Sequence, residues 1–137
     1  LRIGCVPVNR GKRSEAIRKM LHEVQLGTSP AGQLIIYPQG TRVAPGDEEP
    51  YKIGTGALYL ETGQACVPAA TNVGLFWPRN GIYRKPGLAV VEFLPKIEQG
   101  LNKEEFMNAL EGTIESRSNE LMKEAGFYEL HSNNRRA

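Results

Sequence analysis

Apolar positions fall along this chain in short runs, broken by polar stretches rich in glycine and proline, and their spacing switches between strand-like and helical periods. Ile3 to Val8 is a nearly continuous apolar run that predicts a short buried strand, with Pro7 marking an edge or an irregular end. Ser14 can cap a helix from Glu15 to about Leu26, in which Ile17, Met20, Leu21 and Val24 share a face and Gly27 supplies a stop. Thr28 to Gly32 reads as a turn. Gln33 to Tyr37 reads as a second strand, and its run Leu34-Ile35-Ile36 is expected to be buried. Val43 to Tyr51 is polar and rich in Pro, Gly, Asp and Glu, which predicts an exposed loop.

The second half continues the alternation. Ile53 to Thr62 predicts a helix ended by Gly63. Gly54 and Gly56 near its start lower helix propensity, which points to a close backbone approach there. Ala65 to Thr71 predicts a third strand, in which Pro68 calls for an edge or a bulge. Gly74 to Gly87 reads as a long irregular stretch with a turn at Asn80-Gly81, and Leu88 to Phe93 as a further strand. Asn102 can cap a last helix with Glu104 and Glu105 in its first turn. Phe106, Leu110, Ile114 and Leu121 form its apolar face, and Gly126 can end it. The order β-α-β-α-β-β-α predicts an α/β fold, a mixed β-sheet flanked by helices, over residues 1–130 as part of one domain, with 131–137 as a polar tail.

Composition narrows the class. The chain has 137 residues, 40% of them apolar, which suits a soluble globular chain with a modest core. No apolar run is long enough to span a bilayer, and no signal-peptide layout opens the chain. It starts on Leu1-Arg2-Ile3-Gly4 with no methionine and reads as a piece of a longer protein. The net charge of +2 is too small to argue for nucleic acid. Arg2, Arg10, Lys12, Arg13, Arg18 and Lys19 nevertheless make the first segment locally basic, as either a solvated helix face or a surface facing anionic lipid. Cys5 and Cys66 are the only cysteines, each among apolar neighbours, and read as buried free thiols rather than a disulfide framework or a zinc site.

The most informative chemistry lies in Tyr37-Pro38-Gln39-Gly40-Thr41-Arg42, directly after the second apolar run. Gly40 lets backbone approach a ligand, Thr41 brings a hydroxyl, and Arg42 brings a planar fork of donors suited to phosphate. The run resembles the Phe-Pro-Glu-Gly-Thr-Arg block of the glycerolipid acyltransferase family, with Gln39 where that family usually has glutamate. Three further blocks follow the family's order: Gly4-Cys5-Val6-Pro7-Val8-Asn9-Arg10 before it, then Tyr51-Lys52-Ile53-Gly54, then Cys66-Val67-Pro68. Together they cover roughly Leu1 to Leu94.

The resemblance implies a truncated glycerol-3-phosphate acyltransferase-like fold and part of a lysophosphatidate acyltransferase of phospholipid synthesis. It implies that Arg10 and Arg42 hold the acceptor phosphate, that Gln39, Gly40, Thr41 and Lys52 belong to the acceptor site, and that Gly4 and Pro68 are structural motif positions. Glutamine keeps the shape of glutamate and a hydrogen-bonding role but cannot act as a base. Arg10 and Lys52 also read as plain surface residues, and Phe76, Trp77 and Pro78 as an acyl groove, a membrane contact or simple packing.

The family's chemistry needs a histidine base oriented by an aspartate in a His-(x)4-Asp motif. Five positions after His22 stands Gly27, and five after His131 stands Arg136, so neither histidine fits, and His22 reads as an ordinary helix residue. The expectation is therefore a chain that binds the acceptor, has no catalytic residue of its own and is inactive alone. The implied partners are lysophosphatidate, a thioester donor (acyl-CoA or acyl carrier protein) and a membrane surface on its cytoplasmic side, with no nucleic acid, metal or bound cofactor. An acyltransferase for another lysolipid or for glycerol 3-phosphate, and a non-catalytic anionic-lipid binding domain, remain as alternatives.

Overall fold

Asn102 starts the longest element of the protein. Its side chain accepts from the Glu105 backbone N–H at 2.9 Å, and Glu105 reaches back to the Asn102 N–H at 3.3 Å, a capping box that satisfies donors at both ends of the turn. In the structure, a computed structural model describing residues 34–78 and 82–127 together with Glu15, Arg18 and His22, five elements lie wholly among the described residues. They are α1 (Gly54–Thr62), β1 (Ala69–Thr71), α2 (Val73–Phe76), β2 (Val91–Phe93) and α3 (Lys103–Glu124). The expected strand Ile3–Val8 and turn Asn80-Gly81 lie outside the described residues. In the expected first helix, Glu15, Arg18 and His22 are helical and exposed.

Helix α3 is the platform. Its buried residues Phe106, Leu110, Leu121 and Met122 recur at the spacing of one helix face. Phe106 stacks flat on Tyr59 of α1, with centroids 3.8 Å apart and planes within 5°. Leu110 joins them, and Tyr51, Cys66, Ile97, Leu101, Met107 and Ile114 pack around this cluster. Further along, Leu121 meets Ala70 of β1 and Leu94 beyond β2. Burying a side chain such as Phe106 contributes on the order of 2–3 kcal/mol. Tyr59 satisfies its hydroxyl inside this core, donating to the Glu98 carbonyl at 2.6 Å and accepting from the Leu101 N–H at 3.2 Å.

The contact between α1 and α3 depends on Gly56. A Cβ there would lie 2.9 Å from Lys103 Cγ and 3.1 Å from Met107 Cγ, so the close approach expected from the glycines at the start of α1 is real at this one. Gly63 ends α1 in the left-handed region, as its sequence position predicts. Gly126 follows α3 at φ +76 and ends it in the same way.

The sheet departs from expectation. Among the described residues it consists of β1 and β2 alone, paired antiparallel with Ala69 opposite Phe93 and Thr71 opposite Val91, so no mixed sheet is present there. Cys66 also bridges Ile97, and the three steps from Cys66 to Ala69 face four from Phe93 to Ile97. The extra residue on the second strand is a bulge opposite Pro68. Pro68 is fully buried, and its carbonyl accepts from the Leu94 N–H at 2.9 Å.

Residues 34–37 are not in a strand, and Leu34 and Ile35 are 47% and 75% exposed rather than buried. An apolar run becomes a buried strand only with a ladder partner and a covering face, and among the described residues β1 and β2 pair only with each other. The stretch expected to be irregular before Gly87 begins with the single turn α2. Phe76 closes the excursion by accepting from the Lys85 N–H at 2.9 Å, and its ring lies where a Cβ on Gly87 would have to be.

Candidate functional site

Tyr37 to Gly40 form a tight turn in which the Gly40 N–H donates to the Tyr37 carbonyl at 2.9 Å. Pro38 presets the second position of that turn. Gly40 sits at φ +68, a conformation that favours glycine and that carries the chain out toward Thr41 and Arg42. Both of those residues are exposed, and Arg42 forms no ion pair with a described residue.

Lys52 joins this turn from the far end of the exposed loop. Its N–H donates to the Pro38 carbonyl at 2.8 Å, and its aliphatic stem lies alongside Gly40. Its ammonium is held by Glu49 at 2.6 Å, an exposed pair worth about 0–1 kcal/mol that an incoming anion can displace. The structure thus brings Gln39, Gly40 and Lys52 together. Arg10 and Gly4 lie outside the described residues. Pro68 is remote in role, placed at the sheet bulge rather than at the turn.

Two residues that the sequence reading did not count among the site residues, Tyr51 and Glu115, stand against this turn. The Tyr51 hydroxyl donates to Glu115 Oε1 of α3 at 2.8 Å, and the Gln39 side-chain amide approaches the same oxygen at 3.5 Å. All three are half-buried. Burial and the neighbouring carboxylates of Glu115 and Glu111 push the Tyr51 hydroxyl well above the ordinary tyrosine range, so it stays a donor at any physiological pH. The only hint in the sequence was that Glu115 flanks the apolar stripe of the last helix; nothing local links it to Gln39, 76 positions away.

The local charge is mixed. Asp47, Glu48 and Glu49 lie in the loop between the turn and Lys52, so Arg42 is the cation at this turn with no described carboxylate on it. Its guanidinium can take phosphate or carboxylate through two parallel N–H bonds. The expected buried thiol at Cys66 is half-buried and free, and burial pushes its pKa up, away from nucleophilic use.

A different surface lies around the excursion after α2. Trp77, Ile82, Tyr83 and Leu88 are exposed, and the Arg84 guanidinium stacks over the Trp77 ring at 4.0 Å. Among the described residues, no helix is long and apolar enough to cross a membrane.

Two curated proteins are similar to this chain. One is the 1-acyl-sn-glycerol-3-phosphate acyltransferase of Pseudomonas aeruginosa, 26% identical over 90 residues, which span 66% of this chain and 35% of that protein. The other is the 1-acyl-sn-glycerol-3-phosphate acyltransferase of Limnanthes alba, 33% identical over 94 residues, which span 67% of this chain and 33% of that protein. No family model matches the chain, and no solved structure does. The chain spans about a third of the length of the curated relatives it matches. Over about two thirds of its own length, it resembles the acyltransferases of glycerolipid metabolism.

Proposed function

We propose that this chain is the acceptor-binding part of a 1-acyl-sn-glycerol-3-phosphate acyltransferase, holding lysophosphatidate while a fatty acyl group is transferred to it from a thioester. The observation that carries this reading is the turn at 37–42, in which Gly40 takes a positive φ alongside the stem of Lys52, whose ammonium is displaceable, and Arg42 two residues on is exposed with no ion pair to a described residue. In the reaction the acceptor hydroxyl attacks the thioester carbonyl, the C–S bond breaks, and the thiol leaves with the proton. Arg42, joined by Arg10, would fix the phosphate, and Gln39 and Thr41 would hydrogen-bond the glycerol part. The proton needs a base, and neither histidine of this chain has an aspartate five positions on, so the chain alone binds without catalysing. No metal or bound cofactor enters the step.

Membrane contact is the second part of the reading, supported by the exposed Trp77, Ile82, Tyr83 and Leu88 around Arg84. The test is vesicle co-sedimentation of the purified chain. Phosphatidylcholine vesicles doped with lysophosphatidate should retain it several-fold better than vesicles carrying phosphatidylserine at equal charge. Equal retention on both, lost together with rising salt, would instead favour an anionic-lipid binding domain. Preference for another lysolipid or for glycerol 3-phosphate would move the acceptor and keep the enzyme class. Acyl transfer by the chain alone would overturn the claim that it does not catalyse.

A further inference from the structure

Glu115 sits on the side of α3 that faces the turn, and one of its oxygens takes both the Tyr51 hydroxyl and the Gln39 amide. No described cation forms an ion pair with it. Glu111, one helical turn earlier on α3, also acts on the Tyr51 hydroxyl as a second carboxylate, and Lys52, next to Tyr51 in the chain, is engaged by Glu49. A carboxylate in that setting needs neutral donors, and the turn supplies one from Gln39. A second carboxylate at position 39 would face Glu115 across about hydrogen-bonding distance with no cation among the described residues paired to Glu115, and one of the two would have to hold a proton.

We propose that Glu115 is a positioning residue of the 37–42 turn and that Gln39 is the neutral half of a charge-matched pair with it, so that the acid of this site stands on the long helix and the amide on the turn. The pair ties the turn to the rigid core through α3, which fixes where Gly40 and Arg42 point. The inference depends on the acyltransferase reading only for the purpose of the turn, since the pairing is tested without lipid.

The experiment is thermal unfolding of the chain, of Gln39→Glu, of Glu115→Gln and of the double variant, from pH 4 to pH 8. Gln39→Glu is expected to lower Tm by about 3–6 °C at pH 7. The paired acid has its folded pKa raised, so that loss should be absent near the unfolded carboxylate pKa of about 4.3 and grow as pH rises through the folded value. Glu115→Gln alone should be nearly neutral, because glutamine still accepts from Tyr51. Added to Gln39→Glu, it should restore Tm at pH 7 and remove the extra pH dependence. A Gln39→Glu profile parallel to wild type at every pH, or a double variant as unstable as Gln39→Glu, would overturn the pairing. If the swap behaves as expected and none of the four proteins prefers lysophosphatidate vesicles, the pairing stands and the acceptor reading falls.

Discussion

Asn72 pairs with Val90 twice: its N–H donates to the Val90 carbonyl at 3.3 Å, and its side-chain oxygen accepts from the Val90 N–H at 2.7 Å. Its amide nitrogen donates at 3.4 Å to the carbonyls of Leu88 and of Leu121 on α3. One 4%-exposed side chain thereby extends the β1–β2 ladder and joins it to the helix. Asn72→Ala is expected to cost about 2 kcal/mol by leaving these groups unpaired, read as a lower urea midpoint. Asn72→Asp should cost more at neutral pH, because it removes the donor and buries a charge.

Gly56 separates two opposing effects. Alanine would gain about 1 kcal/mol of helix propensity, while its Cβ at 2.9 Å from Lys103 Cγ, near the root of that side chain, would force a small shift of α1 against α3. Gly56→Ala should therefore stay within about 1 kcal/mol of wild type, whereas Gly56→Leu should lose roughly 1–3 kcal/mol by overpacking. Urea unfolding of both variants checks the contrast.

Tyr51 provides an alkaline signature. Its folded pKa lies above the unfolded value of about 10, so its stabilising contribution is complete below that value and is lost as pH rises past it toward the folded value. Tyr51→Phe should lower stability by about 1 kcal/mol near neutrality. The gap in Tm between wild type and variant should shrink between about pH 10 and pH 12.

Arg42 is exposed and pairs with no described residue, so replacing it should change ligand binding rather than folding. Arg42→Ala is expected to weaken lysophosphatidate-vesicle binding about tenfold, the scale of one hydrogen-bonded charge contact, with Tm unchanged. Arg42→Lys should recover only part of it, since an ammonium cannot make the two-pronged contact.

The legible parts of the fold were those with a local cause. Helical spacing of Phe106, Leu110 and Leu121 placed α3, and Asn102 and Gly126 marked its ends. Gly63 marked the end of α1, and the polar run 43–51 carries neither helix nor strand. The run Leu34-Ile35-Ile36 misled, because hydrophobicity reports a demand for cover and not whether a partner meets it. Helix α2 was missed because a single turn has no period to detect.

The same division holds at the site. The amino-acid sequence by itself determined its chemical content: a glycine able to take positive φ, an arginine two residues on, a lysine ten beyond that, and no histidine followed five positions on by aspartate. Only the tertiary structure decided that Lys52 lies along Gly40 and that Glu115 stands against both Gln39 and Tyr51, 76 and 64 positions from it. Contacts over such separations follow from the register in which α3 packs on the rest of the chain. That register is set by the sum of its buried face, from Phe106 to Leu121, and not by any residue near the turn.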